Sequence, residues 1–521
     1  MSDSGEPNVG SDSEYLEGLP RLVAVFGVSL AAFMNVLDST VAIVALPAIS
    51  GSLSATPSQA SWVLTIYGVC LAVSVPLAGW LATRFGQVRA FVWAVALFTF
   101  FSWLCASATT FNELLIFRAL QGFSGGVLLP FSQAIVMRIY PPEDRATALG
   151  VWGLFAAVAP VAGPVLGGVI TDTLGWPWIF YINVPVGFLS IGVCLAMLTD
   201  LETETKPVPT DIWGLMLLVA SVVSLQLMLD RGHELDWFAS HWIWVLMLIG
   251  VCGVVFFLIW ELDESHPVVD LSVFNNGPFV VGIIFSSVFY AAYVVIGTIY
   301  PLWMQTVLGY TPSGAGWVMA ATTLFPLISM GVLGKLLKDI NPRFICVCGC
   351  LFIASVFYLH GAITTQVSQG YLTVVRFLIG LAMPFFWVPT MAITFSKIPL
   401  EQLAAATGLS NFARMLATSL TTAAGISIWD SRTVVHHADL VQAVSQPNSA
   451  REALMPMLQG ASADPLSGMA LLDGMIFQQA RTLAMQDVIL LGSIMILLLI
   501  GMVWLIPVEK STAVTPQLAH D

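Results

Sequence analysis

Apolar residues run along this chain in long blocks separated by short polar breaks. The blocks are too long for strand alternation and too uniform for the single stripe of a surface helix. They predict fourteen helices at about 21–46, 58–81, 90–108, 112–137, 146–171, 176–199, 211–229, 241–261, 278–304, 313–334, 343–363, 370–395, 402–428 and 487–507. About 20 apolar residues at helical rise cross a hydrocarbon layer, so each block is read as a membrane span. The third-to-fourth and fifth-to-sixth connections are tight, which leaves thirteen or twelve spans as alternatives. Blocks of this length exclude an outer-membrane barrel, whose strands are short and alternate.

Composition agrees with the pattern. Of 521 residues 57% are hydrophobic and 9% charged, against about 25% charged in an average soluble protein. A soluble globule could not cover that apolar surface, and a disordered chain would carry far less of it. The expected class is all-α and integral to the membrane. The net charge of −13 leaves no basic patch for nucleic acid. Acids gather in the first twenty residues (Asp3, Glu6, Asp12, Glu14, Glu17), which lack the basic start and cleavage site of a signal peptide. They read as a disordered cytoplasmic tail.

Lys and Arg set the orientation. With the N-terminus inside, short loops place Arg21, Arg84, Arg89, Arg138, Arg145, Lys206, Lys335, Lys338, Arg343, Lys397 and Lys510 on the inner side. Only Arg231 falls outside on a short loop, because Arg432, Arg451 and Arg481 lie in one long segment that the positive-inside rule discounts. Both termini are therefore expected on the cytoplasmic side.

The chain also repeats. Shifted by 258 residues, Arg118 falls on Arg376, Gly122 on Gly380, Pro141 on Pro399, Glu143 on Glu401, Ala146 on Ala404, Ala148 on Ala406 and Gly150 on Gly408. Parallel six-helix repeats build many transporters. The two Arg-bearing spans are the fourth and the twelfth, so two additional helices must separate the halves. The expected organisation is a tail at 1–20, an N-terminal six-helix half at 21–199, two extra spans with linkers at 200–270 and five helices of the C-terminal half at 271–429. A long periplasmic loop at 430–486, the last span at 487–507 and a cytoplasmic tail at 508–521 complete it. The loop, with Asp430, Arg432, His436, His437 and Asp439 near its start, reads either as a solvated connection or as a docking surface for a periplasmic partner.

An ionisable group inside a span costs at least about 2.5–3.5 kcal/mol and so needs a partner, a wet cavity or a task. Asp38, Arg118, Arg376 and Arg414 are such groups. Burial disfavours the charged form of a carboxylate and a nearby cation favours it. Asp38, the only carboxylate well inside a span, can thus load and release a proton, with Arg118 as its partner or as a switch on the substrate side; the bland reading is a structural salt bridge. Arg414, beside Asn411, could attract an anionic or polar group, or be scaffold. Tyr293, Met383, Phe385 and Trp387, with Gln121 in span four, are candidates for a lining that adapts to varied apolar ligands; lipid contact and packing compete with that reading. In span five, Pro160 and Pro164 bend the helix and Gly163, Gly167 and Gly168 offer a smooth face, so the span reads as a rocking surface. In the loop after span two, Gly79 and Gly86 permit a tight turn, and Arg84 and Arg89 face headgroups or helix C-termini. All seven cysteines fall in apolar runs. In Cys346-x-Cys348-x-Cys350 the first and last share a helix face while Cys348 points away, so no metal site and no cofactor is expected.

These motifs resemble the Major Facilitator Superfamily, in its fourteen-span drug:proton antiporter family, over nearly the whole chain outside the tail. LDSTVAIVALP at 37–47 is similar to the family's first-span motif, which makes Asp38 the proton-linked carboxylate. GWLATRFGQVR resembles its loop between spans two and three, RALQGFSGG its span-four motif with Arg118, and APVAGPVLGG its span-five antiporter motif. LMLDRGHELDWF, HPVVDLSVF and GLSNFARMLATS are similar to the EmrB/FarB subgroup. The resemblance implies two six-helix halves, a multi-pass place in a bacterial inner membrane and export of small hydrophobic drugs, uncouplers or fatty acids against protons. It also implies an EmrA-like periplasmic adaptor and a TolC-like outer-membrane channel as partners. Two positions depart from the family pattern: Thr83 stands where an Asp is common, and Ile43 where Asn is common. The alternatives are a dedicated fatty-acid exporter, a membrane lipid-modifying enzyme and a non-transporting scaffold. The candidate acids and imidazoles for an enzyme (His436, His437, Asp439, Glu264) are too scattered, and a scaffold has no use for a costly buried acid.

Overall fold

The computed structural model describes residues 16–504 apart from 142–143, 207–208, 233, 362, 446–464 and most of 323–339. Every regular element among the described residues is helical. The first half contains α1 (Gly18–Ser52), α2 (Trp62–Ser74) and α3 (Ala78–Phe85), α4 (Gln87–Ser107), α5 (Phe111–Gly125) and α6 (Leu128–Ile139), α7 (Arg145–Leu174) and α8 (Asn183–Met197). Then come α9 (Ile212–Arg231), α10 (His241–Asp263), α11 (Gly277–Thr306), α12 (Pro312–Ala320), α13 (Pro342–His360), α14 (Gln369–Thr394), α15 (Leu403–Ser445) and α16 (Pro465–Val503). Among the described residues eleven helical stretches are long and apolar enough to cross a membrane, and α7, bent by 48°, makes a twelfth if its two arms are one span. The predicted span at 402–428 lies inside α15, which is more polar than the rest. The predicted span at 313–334 is described chiefly over α12, and most of its remainder lies outside the described residues.

The two tight connections are genuine breaks with a local cause. Before α5, Thr110 accepts from the Glu113 amide at 3.3 Å, while the Glu113 carboxylate accepts from the Thr109 and Thr110 amides at 2.9 and 3.2 Å. This reciprocal cap satisfies the helix's first donors and fixes its start. After α7, Gly175 takes a φ of +92°, a conformation that glycine adopts without penalty, and Pro177 follows it.

Two compact units result. The first holds Met1–Asp270, Tyr310–Met330 and Leu400–Phe412; the second holds Leu271–Gly309, Gly331–Pro399 and Ala413–Asp521. The extra spans α9 and α10 belong to the first unit and pack on each other. Arg231 of α9 donates to Ser61 Oγ at 2.8 Å and lies 4.9 Å from the Trp62 ring at the head of α2. Much of α10 stays uncovered, with Leu248, Phe256, Ile259 and Leu262 exposed, as lipid contact requires.

Where a loop is expected over 430–486, the structure continues α15 to Ser445 and starts α16 at Pro465. No Gly or Pro interrupts 426–445, so nothing stops the helix at the end of its apolar run. Arg432 Nε and His436 Nε2 both donate to Asp487 Oδ2, at 2.6 and 2.8 Å, and His437 Nε2 donates to Asp473 Oδ1 at 3.0 Å. These bonds tie the two helix extensions together. Residues 446–464 lie outside the described ones.

Candidate functional site

The polar centre of the first unit is built on α1. Asp38 is 2% exposed, and its carboxylate accepts three donors. Arg118 Nη1 of α5 reaches Oδ2 at 2.5 Å; Gln121 Nε2, one turn further along α5, and Asn183 Nδ2 at the start of α8 reach Oδ1 at 2.9 and 2.7 Å. Two helices thus converge on a side chain of a third. Ser102 of α4 closes the network by accepting from Gln121 and Asn183 at 2.5 and 3.1 Å. Arg118 also donates to the Val63 carbonyl at 3.2 Å and to Gln121 Oε1 at 2.8 Å, and it lies 4.0 Å from the Tyr67 ring. Tyr67 donates to Asn35 Oδ1 at 2.6 Å, one turn before Asp38 on α1. A buried charge is tolerable only when paired and hydrogen-bonded, and this one is both.

The same stretch of α1 carries the contact with the bent helix. A Cβ at Gly163 of α7 would collide with Thr40, and one at Gly167 would stand 3.1 Å from the Val41 carbonyl. At Gly168 the nearest atom, on Val44, is 4.0 Å away. Gly163 and Gly167 therefore form the close face, and Gly168 stands off it. Pro160 is exposed; Pro164 falls within the bend, and its side chain lies outside the described ones.

The loop after α3 differs from the expected tight turn. Gly79 sits inside α3, where a Cβ would come within 2.7 Å of Ala405 at the start of α15. Gly86 alone makes the turn, at φ +88°, and packs against Glu202. Glu202 accepts from the Val88 and Arg89 amides at 2.9 and 2.8 Å, and Thr203 Oγ1 accepts from the Gln87 amide at 2.8 Å. The linker after α8 thereby caps α4, whose first amides would otherwise lack partners. Arg89 is exposed, 3.8 Å from Glu202, and Arg84 lies 5.7 Å from the Trp80 ring. Thr83 Oγ1 donates to the Gly79 carbonyl at 3.0 Å, and a small cleft beside it is lined by Asp270 and Glu401.

The substrate candidates divide. In the second unit Arg414 stands 5.1 Å from the Trp387 ring, Trp387 is 5.9 Å from Tyr290, and Tyr290 is 6.4 Å from Tyr293. Met383 lies one turn from Trp387 on the same face of α14, all of these aromatics being half-buried. Phe385, two residues from Met383, points off that face. Asn411 belongs to the first unit and donates to Gln133 Oε1 at 3.0 Å. Gln121 is a correction: fully buried and bonded to Asp38, Arg118 and Ser102, it serves the carboxylate rather than a ligand cavity. Asn183, Ser102, Tyr67 and Asn35 complete the network and are not among the residues the sequence singles out. Their signal was polarity in the middle of apolar runs. Cys346 and Cys350 are buried and Cys348 exposed.

The first unit thus places a buried, multiply bonded carboxylate inside a bundle of apolar helices long enough to cross a membrane. Residues 28–422 match the model of the Major Facilitator Superfamily. Multidrug export protein EmrB of Escherichia coli strain K12 is 37% identical over 490 residues, covering 94% of this chain and 96% of that protein. Fatty acid resistance protein FarB of Neisseria gonorrhoeae is also 37% identical over 490 residues, covering 94% and 97%. The crystal structure of the human organic anion transporter MFSD10 (TETRAN) has a TM-score of 0.56 at 14% identity, covering 92% of this chain and all of that one, a likeness of fold alone. This chain belongs to the Major Facilitator Superfamily, and it is a multi-pass protein of the inner membrane.

Proposed function

We propose that the protein exports hydrophobic compounds from the cytoplasm in exchange for protons, with Asp38 as the proton carrier. The observation that carries this reading is the buried Asp38 with its three donors on α5 and α8. As a carboxylate it holds Arg118, Gln121 and Asn183 together. Once protonated it no longer balances Arg118, and its new O–H must turn to an acceptor such as Ser102 Oγ or Gln121 Oε1. The bonds among α1, α4, α5 and α8 then rearrange as a set, on the face of α1 next to the Gly163 and Gly167 contact with α7. A proton thereby biases helix packing, and substrate binding biases the same equilibrium in the other direction. One charge moving through about 100 mV supplies about 2.3 kcal/mol, enough for a roughly fiftyfold gradient of a neutral substrate.

The similarity to the multidrug export protein EmrB supports drugs as substrates, and the equal similarity to the fatty acid resistance protein FarB supports fatty acids. In this reading both termini are cytoplasmic and the α15–α16 extensions project into the periplasm. There they face an EmrA-like adaptor that leads to a TolC-like channel. The test uses proteoliposomes carrying wild type or Asp38→Asn under an imposed proton gradient, with luminal pH and a panel of drugs and fatty acids followed together. Wild type is expected to move protons against at least one compound and the variant to do neither. A variant that couples as well as wild type overturns the role of Asp38.

A further inference from the structure

We infer that Arg376 forms a second buried polar site, distinct from the Asp38 centre, that binds the carboxyl group of an amphipathic acid. This inference rests on the exporter reading above. Arg376 sits on α14 and is 1% exposed. Its Nε and Nη2 have no hydrogen-bond partner. Among the described residues, α11, α13 and α14 carry no Asp or Glu, and the two acids of α16 are already held, Asp487 by Arg432 and His436 and Asp473 by His437. The neighbour of the guanidinium is Tyr300 of α11, whose ring centre lies 3.9 Å from Cζ. A buried cation with no counter-ion among the described residues is among the least favourable groups a span can hold, which suits it to a counter-charge brought by a ligand.

A second group narrows the chemistry. His360 at the end of α13 is fully buried and packs edge-on against the same Tyr300 ring, 5.2 Å between centres. Its Nδ1 donates to the Val356 carbonyl at 2.9 Å, which leaves Nε2 as a bare acceptor, and Nε2 has no partner either. Two open N–H donors and one open nitrogen lone pair around one phenol ring suit a carboxyl group. Its oxygens accept from the guanidinium in the planar geometry that Arg favours, and its proton, when present, is donated to Nε2. A halide or other simple anion would satisfy Arg376 but offer nothing to His360.

There is also room for a tail. On α11, Tyr293, Gly297 and Tyr300 follow at helical spacing on one face. A Cβ at Gly297 would meet nothing within 4 Å, so the stripe has a notch just before Tyr300. Tyr293 and Tyr290 continue the stripe to Trp387 and Arg414. An alkyl or aryl chain lying along this lane would bury its carboxyl group at Arg376.

The experiment measures binding of radiolabelled dodecanoate to the full-length purified protein in nanodiscs, with unlabelled dodecanoate, methyl dodecanoate and chloride as competitors. On wild type the ester is expected to compete about tenfold less well than the acid, since it has lost the charge-assisted bonds. Arg376→Gln is expected to weaken dodecanoate by about tenfold or more, with Arg376→Lys between the two. His360→Phe is expected to weaken the acid and leave the ester unchanged. An ester that competes equally on wild type overturns the proposal without any variant, and so does a folded Arg376→Gln protein that keeps wild-type affinity. Displacement of dodecanoate by chloride that matches unlabelled acid assigns the site to an inorganic anion and overturns the carboxyl reading. If Arg376→Gln binds the acid normally while wild type still exports against protons, the subsite fails and the exporter reading stands. If the acid preference and its dependence on Arg376 hold but wild type shows no proton-driven transport, the reverse is true.

Discussion

Two arginines that coincide under the sequence repeat, Arg118 and Arg376, stand in opposite electrostatic situations. Both are fully buried, and each lies about one ring thickness from a tyrosine, at 4.0 Å from Tyr67 and 3.9 Å from Tyr300. Arg118 has an internal carboxylate and a shell of amides, and only its Nη2 is unmatched. Arg376 has no carboxylate partner among the described residues, and both its Nε and Nη2 are unmatched. The two positions that coincide under the shift thus both carry a buried cation, and only Arg118 has a carboxylate partner among the described residues. The paired site suits a group that exchanges a proton with its surroundings. The unpaired site suits a group whose counter-charge arrives and leaves with cargo.

The contrast makes graded predictions. The largest effect is expected at Arg118→Met, which strands the Asp38 carboxylate and should cost about 3–5 kcal/mol, whereas Arg376→Met strands no charge and should cost less than about 1 kcal/mol or stabilise. Thermal unfolding of both variants in one detergent checks this, and equal losses would break the comparison. Next, Asp38→Asn placed on top of Arg118→Met should recover about 2 kcal/mol, read from a double-mutant cycle, because the stranded charge is gone; transport should stay absent.

The helix contact beside Asp38 offers a smaller test. Gly163→Ala should cost about 1–3 kcal/mol by forcing α7 off Thr40, while Gly168→Ala should stay within about 0.5 kcal/mol. If both are neutral in unfolding and in transport, α7 does not bear on α1 as closely as described. The smallest effect is expected at Glu202→Ala, which uncaps α4 and should cost about 1 kcal/mol, with faster amide exchange at Val88 and Arg89 as the local sign.

Much of this architecture was legible in the sequence for a simple reason. Membrane spans must satisfy their own backbone and face lipid, so their lengths and polar breaks are written as apolar blocks, and twelve predicted spans appear as apolar helices. The loop at 430–486 misled because hydropathy marks where a helix leaves an apolar medium, whereas Ala-rich α15 simply continues past that point. At the site, Asp38 and Arg118 stood out because a charge in a span is rare. Gln121 was placed on the wrong partner and Asn183 was overlooked, because a neutral amide in an apolar run does not reveal what it bonds to until three helices are brought together. Gly79 was read as a turn residue because sequence cannot distinguish a glycine that bends the chain from one that admits Ala405. Glu202 lies 113 residues beyond Arg89 in the chain, and no local pattern announces a cap supplied from that distance.

The central claim is that the proton exchanged during transport sits on Asp38, and counting protons tests it most directly. Wild type and Asp38→Asn would be titrated with a transported neutral compound in weakly buffered solution, and the protons released per molecule bound would be recorded. Wild type is expected to release protons on binding, rising to about one per molecule as the starting pH is lowered enough to protonate Asp38, and the variant to release none at any pH, with binding itself retained in both. Equal proton release by the two proteins would contradict it and place the coupling group elsewhere.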